Sequence, residues 1–406
     1  MTASVRQHLI DPAVCIRCNT CEALCPVGAV THDANNYVVD VEKCNFCMDC
    51  VQPCPTGSIN HFITVPTPFS LDDQFSWAEF PQEVGLAEQA GASGTIDAVD
   101  EEIVSILDEA HQGARGHMRA PMSASKPRVN LFGRTNPVEA TVAGNFQLTA
   151  ANASCDVRHI ILDFGTTSFP VLEGQSVGII VPGVDEQGRP HRMRLYSVAS
   201  PRDGERPHTN NVALTVKRVF EKRSDGTIFR GIASNYVCDL NQQDKVQVIG
   251  PFGSTFLMPD DPDADIVMIC TGTGSAPFRG FTERRRRAMP NAKGKLYLFF
   301  GARSPQELPY FGPLQKLPKT LLDQELVFSR LPDKPKEYVQ HRICARAADL
   351  AALLKRESTY IYVCGLRGME AGVEAAFESI CREHSIPWES CRAAMREEGR
   401  FHIETY

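Results

Sequence analysis

The sequence predicts a multidomain protein with an α+β cysteine-rich head, a partly helical acidic connector, an antiparallel β-barrel and an α/β domain with a parallel sheet. Eight of the fifteen cysteines lie between Cys15 and Pro55, near the start of a 406-residue chain. Short β runs separated by glycine and proline follow from about 129, which is typical of an antiparallel barrel. Strands alternate with helices from about 262, which is typical of a parallel sheet. We place the four parts at 1–64, 65–129, 130–260 and 261–406.

The cysteines of the head form two identical runs. In each run three cysteines recur at intervals of three, and a fourth follows directly before a proline. This spacing is typical of bacterial proteins with two 4Fe–4S clusters, where the fourth cysteine of each run ligates the other cluster. Zinc sites and disulfides also use paired cysteines, but structural zinc takes two separated hooks. We predict one cluster held by Cys15, Cys18, Cys21 and Cys54, and a second held by Cys44, Cys47, Cys50 and Cys25.

Nothing at the start of the sequence resembles a signal peptide, and no run reaches the roughly 18 apolar residues of a membrane span. We therefore expect a cytoplasmic protein, in which thiols stay reduced and available to iron. The seven cysteines outside the head have no motif spacing, and most are expected to be small buried side chains.

The net charge of −7 is unevenly distributed. Residues 1–114 contain 3 basic and 17 acidic side chains, a balance of −14, and the other 39 basic and 32 acidic residues give +7. This asymmetry fits electrostatic docking, within the chain or with a partner, as well as it fits a merely solvated acidic surface. It does not suggest nucleic-acid binding. A run of four arginines, 284–287, is expected either as a solvated helix end or as a docking site for the acidic head.

The head repeats internally, since 8–35 and 36–64 each contain one cysteine run. Short β segments are predicted at 29–32, 37–40 and 58–61. In the connector, apolar residues at helical spacing predict one amphipathic helix over 97–110 within an otherwise irregular segment. The connector is either a flexible tether or a segment that wraps around the body.

The barrel strands are predicted at 157–164, 176–181, 192–199, 212–219 and 245–249. The strands of the α/β domain are predicted at 266–270, 296–300, 326–328, 360–364 and 400–404. Its helices are predicted at 276–288, 306–316, 346–356 and 368–383.

Three short motifs suit the binding of phosphates and flat rings. The run 194–197 supplies a guanidinium, an aromatic ring and a hydroxyl on one strand. The run 231–235 begins a helix, whose free N–H groups suit a phosphate. The run 270–278 lies between a strand and a helix, where a βαβ unit holds a dinucleotide pyrophosphate. Pro277 replaces the third glycine of the usual fingerprint there. Each motif alone is weak evidence.

Together with Gly250–Gly253, Cys364–Gly365 and Tyr406, these motifs follow the order found in plant-type ferredoxin–NADP reductases, which the chain resembles over about 130–406. The resemblance implies a barrel that binds FAD and a following domain that binds NADP. Where the family often has a tyrosine against adenine, this chain has Phe220 and Glu221. The implied cofactor contacts are Arg194, Leu195, Tyr196, Ser197, Val216, Lys217, Gly231, Ile232, Ala233, Ser234, Thr271, Gly272, Thr273 and Gly274.

The resemblance also implies sites for the two ends of NADPH. Ser329, Arg330, Lys336 and Tyr338 match the family pattern for the 2′-phosphate, which favours arginine, lysine and hydroxyl partners. An ordinary basic surface loop is the alternative. Hydride transfer is assigned to Ser197, Cys364, Glu404 and Tyr406, with Tyr406 covering the flavin until nicotinamide displaces it. Cys364 and Glu404 would otherwise be a plain strand-end thiol and an edge-strand charge.

In its whole order, the chain resembles the reductase components of benzoyl-CoA 2,3-epoxidases from aerobic benzoate degradation. This resemblance implies an NADPH-dependent oxidoreductase that passes electrons through FAD and two 4Fe–4S clusters. The electrons then reach a separate di-iron oxygenase, which epoxidises benzoyl-CoA with O2. Two alternatives stay open. In the first, the chain is a fused reductase that forms NADPH from a low-potential donor. In the second, its head is a docking module without a redox role.

Overall fold

The computed structural model describes residues 5–12, 15, 17, 19–47, 50, 54, 58–59, 63–65, 67–78, 98–111, 113, 118–222 and 226–406. The chain forms two compact units, Met1–Glu101 and Glu102–Tyr406. Within the described ranges, no helix combines the length and the apolar character that crossing a membrane requires.

The first unit is built from short elements around the cysteines. Strands β1 (Val5–Gln7) and β4 (Ile63–Val65) pair antiparallel, and so do β2 (Val30–His32) and β3 (Tyr37–Val39). Its helices are α1 (Thr20–Ala23) and α2 (Leu71–Phe75). The pair β2–β3 matches the predicted segments at 29–32 and 37–40. Of the segment predicted at 58–61, residues 60–61 lie outside the described residues, and Ile59 bridges Ile10.

Helix α2 corrects the prediction that the connector holds a single helix. Its start is a capping box, in which Ser70 Oγ accepts from the Asp73 N–H at 3.1 Å and Asp73 Oδ2 accepts from the Ser70 N–H at 2.9 Å. This pairing satisfies two free N–H groups of the first turn. Buried Gln74 then exchanges two hydrogen bonds of 3.1 Å with the backbone of Val39. Helix α2 therefore packs on the head, although it lies within the segment predicted as connector.

The second unit begins at Glu102, within helix α3 (Ala98–His111), whose bounds differ from the predicted ones by one residue at each end. After this helix, the first half of the second unit is an antiparallel barrel of six strands in the order β8-β7-β12-β5-β6-β9. A bridge between Val198 and Leu214 joins the two ends of the sheet. The strands are β5 (Val138–Gln147), β6 (Val157–Asp163), β7 (Ser176–Ile180), β8 (Arg194–Ser197), β9 (Asn211–Lys217) and β12 (Lys245–Phe252).

The predicted barrel is confirmed, but its longest strand, β5, was not predicted. The buried positions of β5 are taken by valine, alanine and glycine, which give a weak alternating pattern. A hairpin of β10 (Phe220–Lys222) and β11 (Ile228–Arg230) leads into helix α4 (Ile232–Asp239).

The second half is a parallel sheet in the order β15-β14-β13-β16-β17, which confirms the predicted α/β domain. Its strands are β13 (Asp265–Thr271), β14 (Leu296–Ala302), β15 (Leu322–Phe328), β16 (Thr359–Gly365) and β17 (Phe401–Thr405). Its helices are α5 (Ser275–Ala288), α6 (Phe311–Gln315), α7 (Val339–Ala345), α8 (Ala347–Leu354), α9 (Met369–Glu383) and α10 (Trp388–Glu397).

One helix prediction for this half is corrected, and two helices were missed. The predicted helix 306–316 is a short 3₁₀ turn (Pro305–Glu307) followed by α6. Tyr310 separates them because its φ of 60° lies in the left-handed region. Helices α7 and α10 were not predicted.

The barrel and the parallel sheet are held together by a buried ion pair. Arg279 of α5 donates to Glu205 Oε2 at 2.9 Å and to the carbonyl of Ala199 at 2.8 Å. Burial alone would raise the pKa of Glu205, but pairing with His159 and Arg279 outweighs this effect and lowers the pKa to about 2. The carboxylate therefore stays charged at neutral pH. The ring of Tyr310 joins the same network, since its hydroxyl lies 2.9 Å from His159 Nδ1.

The four-arginine run does not form a single solvated face. Arg285 is fully buried and donates to the backbone carbonyls of Pro262, Ala264 and Gly294, each at 3.0 Å. Arg287 donates to two further carbonyls, of Gly204 and Glu205. In contrast, Arg286 is half exposed and pairs with Glu283 at 2.7 Å on the same helix. The expected solvated helix end therefore describes Arg286 but is wrong for Arg285.

Replacing Arg285 with methionine should destabilise the protein strongly. The substitution leaves three buried carbonyls without their donor, and each unsatisfied group costs about 1–3 kcal/mol. We expect a loss of about 2–5 kcal/mol in the free energy of unfolding, measured by urea denaturation. Arg286→Met is the matched control, with an expected change within about 0.5 kcal/mol. Equal midpoints for the two variants would contradict the structural role of Arg285.

From Glu102 onward, the connector packs on the second unit. Ile103 is 8% exposed and contacts Met193, Ile249 and Phe252 of the barrel. Further on, Met118 packs against the core of the parallel sheet. The wrapped arrangement, one of the two alternatives for the connector, therefore holds for 102–111 and 118–129, the parts of this stretch in which the structure shows such packing.

Candidate functional site

Six cysteines of the head share one small apolar core. Cys21 and Cys50 are buried in it, and Cys15, Cys25, Cys44 and Cys54 pack against it. The other members of the core are Ile10, Ala29, Val30, Tyr37, Val39 and Ile59. Cys18 lies outside the described residues.

The described thiols fall into two groups. Cys21 lies close enough to Cys15 and Cys54 to interact with both electrostatically. Cys50 interacts in the same way with Cys44, Cys47 and Cys25, and these four thiols line one cavity. Each group therefore combines cysteines of one run with the fourth cysteine of the other, as the crossed assignment predicts.

The surroundings of the sulfurs suit iron–sulfur clusters. The N–H of Ala29 donates to Cys25 Sγ at 3.2 Å, and Ser58 Oγ lies 3.3 Å from Cys54 Sγ. Hydrogen bonds to cluster sulfurs and the degree of burial are among the protein's means of setting a cluster's potential. A bound 4Fe–4S cluster exchanges one electron at a time.

The predicted flavin strand is β8, which pairs with β7. Tyr196 is half-buried against the barrel core, and burial raises the pKa of its hydroxyl. Arg194 is exposed at the start of the strand and donates to the Met193 carbonyl at 3.0 Å. Ser197 ends the strand, two residues before Ala199, whose carbonyl accepts from Arg279. An exposed guanidinium and a half-buried ring therefore stand on one strand.

The second predicted phosphate contact is the start of α4. Ser234 Oγ accepts from the Val219 N–H and donates to the Gly231 carbonyl, both at 3.2 Å. A Cβ on Gly231 would lie 2.8 Å from this hydroxyl and 3.0 Å from Val219 Cβ, so glycine leaves room for the close contacts at this turn. Ile232 is exposed, and Ala233 is buried.

The strand expected on the adenosine side is β9. Val216 is buried in the barrel core, and Lys217 is exposed. Beyond the strand, the ring of Phe220 is 50% exposed, and the guanidinium of Arg230 lies 5.2 Å from its centroid. Of Glu221 only the backbone lies within the described residues.

The predicted dinucleotide loop, Thr271–Gly274, links β13 to α5. A Cβ on Gly274 would lie 2.2 Å from the Cys364 carbonyl oxygen, so glycine lets the loop touch the end of β16. Gly365 has a φ of 152°, and a Cβ there would lie 2.5 Å from Thr271 Oγ1. Pro277, which replaces the usual glycine, lies in the first turn of α5, where a missing N–H costs little.

Three of the four residues predicted for hydride transfer meet beside this loop. Cys364 of β16 is the register partner of Glu404 in β17. Burial raises the pKa of the Cys364 thiol well above its usual value, and Glu404 raises it further, so the thiol stays protonated. The N–H of Tyr406 donates to the Gly365 carbonyl at 3.0 Å, and its hydroxyl lies 2.8 Å from Thr273 Oγ1. The fourth residue, Ser197, lies on the barrel strand.

The residues predicted for the 2′-phosphate share the segment between β15 and α7. The N–H groups of Ser329 and Arg330 donate to the carbonyls of Ala302 and Arg303 at 3.0 and 2.8 Å. Arg330, Lys336 and Tyr338 are exposed. Exposed Arg303, directly after β14, adjoins Arg330 and was not predicted as a site residue. Its place at the carboxyl end of a neighbouring parallel strand was the available signal.

Two family models match the chain. Residues 7–55 match a 4Fe-4S dicluster domain, and residues 268–375 match an oxidoreductase NAD-binding domain. With the barrel between them, these domains define an NAD(P)-dependent oxidoreductase that carries iron–sulfur clusters.

Individual relatives narrow this class. The cyanelle ferredoxin–NADP reductase of Cyanophora paradoxa is 37% identical over 287 residues, which are 68% of this chain and 79% of the relative. The ferredoxin–NADP reductase of Picosynechococcus sp. is 32% identical over 367 residues, covering 85% and 89%. The chain belongs to the ferredoxin–NADP reductase family.

A solved structure shows the same fold. The ferredoxin–NADP+ reductase of Plasmodium falciparum superposes with a TM-score of 0.55 at 22% identity, covering 68% of this chain and 99% of that one. The predicted fold class is confirmed, as are the cofactors FAD, NADP(H) and 4Fe–4S clusters. When bound, FAD converts between the two-electron chemistry of nicotinamide and one-electron carriers.

Proposed function

We propose that the chain is the NADPH-dependent reductase component of a benzoyl-CoA 2,3-epoxidase-type monooxygenase. Electrons pass from NADPH through FAD and the two clusters to a separate di-iron oxygenase, which epoxidises benzoyl-CoA with O2. The observation that carries the proposal is the pairing of two thiol sets with a flavin reductase in one chain. Fusing a one-electron carrier to its reductase replaces a diffusional encounter with a high effective concentration.

The choice of NADPH over NADH is supported by charge at the end of the parallel sheet. Arg303, Arg330 and Lys336 are all exposed around the segment that follows β15. Guanidinium groups bind phosphate through paired hydrogen bonds, and a lysine adds a point charge. Tyr338, 46% exposed, offers a flat surface for the adenine ring.

The residues at the end of β16 can position nicotinamide without themselves changing charge. The protonated Cys364 thiol presents a neutral, polarisable group on the sheet edge. Tyr406 is 47% exposed and lies over this edge, held by Gly365 and Thr273. A ring that rests on weak contacts can leave when a better-bound ring arrives, which is the gating role expected of Tyr406.

A second candidate is the opposite direction of flow, from a low-potential donor to NADP. The matched relatives carry the name ferredoxin–NADP reductase, which favours this candidate. In the third reading, the head only docks, and the loss of its clusters leaves electron delivery intact.

Anaerobic titration of the purified protein with NADPH separates these candidates. We expect the flavin absorption to bleach and electron paramagnetic resonance signals of reduced clusters to appear. Clusters that stay oxidised beside a reduced flavin would contradict the outward relay and favour NADPH formation. The terminal step is tested by adding the di-iron oxygenase, since benzoyl-CoA should then stimulate NADPH oxidation. Equal rates without benzoyl-CoA would contradict the proposed substrate.

A further inference from the structure

Helix α3 is an acidic segment placed on basic residues of the reductase. Its sequence, AVDEEIVSILDEAH, contains five carboxylates and neither lysine nor arginine. Glu102 bonds to Arg134, and it accepts from Arg192 Nε at 3.1 Å. Glu109 lies 3.4 Å from Arg367 Nη2. We call Arg134, Arg192 and Arg367 the arginine rim.

The apolar side of the helix fills the floor within this rim. Ile103 is buried, and Ile106 and Leu107 pack beside it on an apolar patch of the barrel. Two residues of that patch, Met193 and Leu195, flank Arg194 on the strand expected to hold the flavin. The helix therefore covers the barrel directly beside that strand.

The end of the helix reaches the other side of the same site. The N–H of Arg367 donates to the Tyr406 carbonyl at 3.2 Å, so the residue that pairs with Glu109 also holds the gating tyrosine. Two residues beyond the helix, a Cβ on Gly113 would lie 2.8 Å from Thr405 Oγ1. One acidic helix thus extends from the flavin strand to the nicotinamide residues.

We propose that the arginine rim and its apolar floor form a docking surface for a small acidic electron-carrier protein, and that helix α3 is its built-in occupant. A separate carrier that approaches the flavin along this edge needs the same arginines and meets the helix. The helix thereby keeps the reductase from serving separate acidic carriers, while the chain's own head remains joined to it. The inference rests on the proposed flow of electrons outward from the flavin.

The expected gain in carrier binding follows from the competition between helix α3 and a separate carrier for the arginine rim. A surface that is open only a fraction of the time lowers the apparent affinity of any competitor by that fraction. If the helix is released in about one molecule in ten to one in a thousand, releasing it permanently should strengthen carrier binding by about 10- to 1000-fold.

The test measures a gain in the rate of carrier reduction, and a misfolded variant would show a loss instead. In a Cys47→Ser background, which closes the route through the head, we compare the parent with E102Q/E109Q/I103D. A small acidic 2Fe–2S ferredoxin is added as the separate carrier, together with NADPH. We then follow the part of cytochrome c reduction that depends on this ferredoxin. We expect at least about a tenfold higher rate at limiting carrier. E139Q is the matched control, since Glu139 and Lys245 form an exposed ion pair of 3.4 Å that is no part of the arginine rim, and its rate should equal the parent's.

Hydrogen exchange measures directly whether the helix is released, which the activity assay does not. Amides 102–111 should exchange faster in the triple variant than in the parent and in E139Q. A second variant, I103D/L107D, keeps Glu102 and Glu109 and removes only the apolar contact. It should show the same faster exchange and the same gain in carrier reduction as the triple variant. Fast exchange without a gain in carrier reduction would overturn the proposal, and so would a parent that already reduces the carrier at the variants' rate. Failure of NADPH to reduce the clusters would instead count against the proposed function.

Discussion

Cys47→Ser should leave NADPH-dependent dye reduction at the parent's rate and stop electron delivery to the oxygenase. Cys47 is an exposed thiol of the group formed with Cys25, Cys44 and Cys50. A serine hydroxyl is a poor replacement for a thiolate ligand of a cluster. Dyes accept electrons from the flavin directly, and the reductase residues lie in the other unit. We expect delivery to fall by at least about 100-fold, more than the 10- to 100-fold cost of losing a supporting contact at a metal site.

Cys344→Ser is the matched control for this substitution. Cys344 is also an exposed cysteine, but it lies on helix α7 of the parallel-sheet domain. Both dye reduction and delivery should match the parent. Cys18→Ser should behave like Cys47→Ser, on the strength of the sequence spacing alone. Full delivery by either cluster variant would overturn the relay and favour a docking head.

The second large effect is expected at Tyr406, where serine should relax the selection of NADPH over NADH. The nicotinamide must displace the tyrosine ring, and binding of the remote 2′-phosphate helps to drive that displacement. NADH lacks this contribution, so it benefits most when the ring is removed. Ring stacking is worth about 1–3 kcal/mol, so we expect the ratio of kcat/KM for the two substrates to fall by about 10- to 100-fold.

Tyr406→Phe separates the ring from its hydroxyl. Phenylalanine keeps the stacking surface and loses only the 2.8 Å contact with Thr273 Oγ1. Discrimination should therefore stay within a few-fold of the parent. Steady-state kinetics with both nucleotides measure the outcome, and an unchanged ratio in Tyr406→Ser would count against the covering role of the ring.

The grouping of the head's cysteines could be predicted from the sequence because cluster chemistry constrains their local spacing. Seven of the eight predicted ligands lie within the described residues, and they form the two crossed groups. The strand 194–197 and the loop 271–274 were also placed correctly, since each depends on a short pattern. Their assignment to FAD and NADP came from the order of many motifs along the chain.

Features that depend on distant segments could not be predicted. The burial of Arg285 follows from carbonyls on segments around 262 and 294, which no helical pattern reveals. Arg303 becomes a site candidate only because β14 lies beside β15 in the sheet. Likewise, the periodicity of 97–110 predicts an amphipathic helix but not the surface on which it packs.

The row formed by Cys270, Cys364 and Glu404 across β13, β16 and β17 has a consequence for how the family can vary in length. Side chains alternate between the faces of a strand, so one residue inserted within β17 would turn Glu404 to the opposite face. It would also move Tyr406 by about 3.3 Å, the rise of one strand residue, and break its contact with Thr273. Insertions and deletions between β16 and Tyr406 should therefore collect in the turn at 384–387, while the strand itself keeps a constant length.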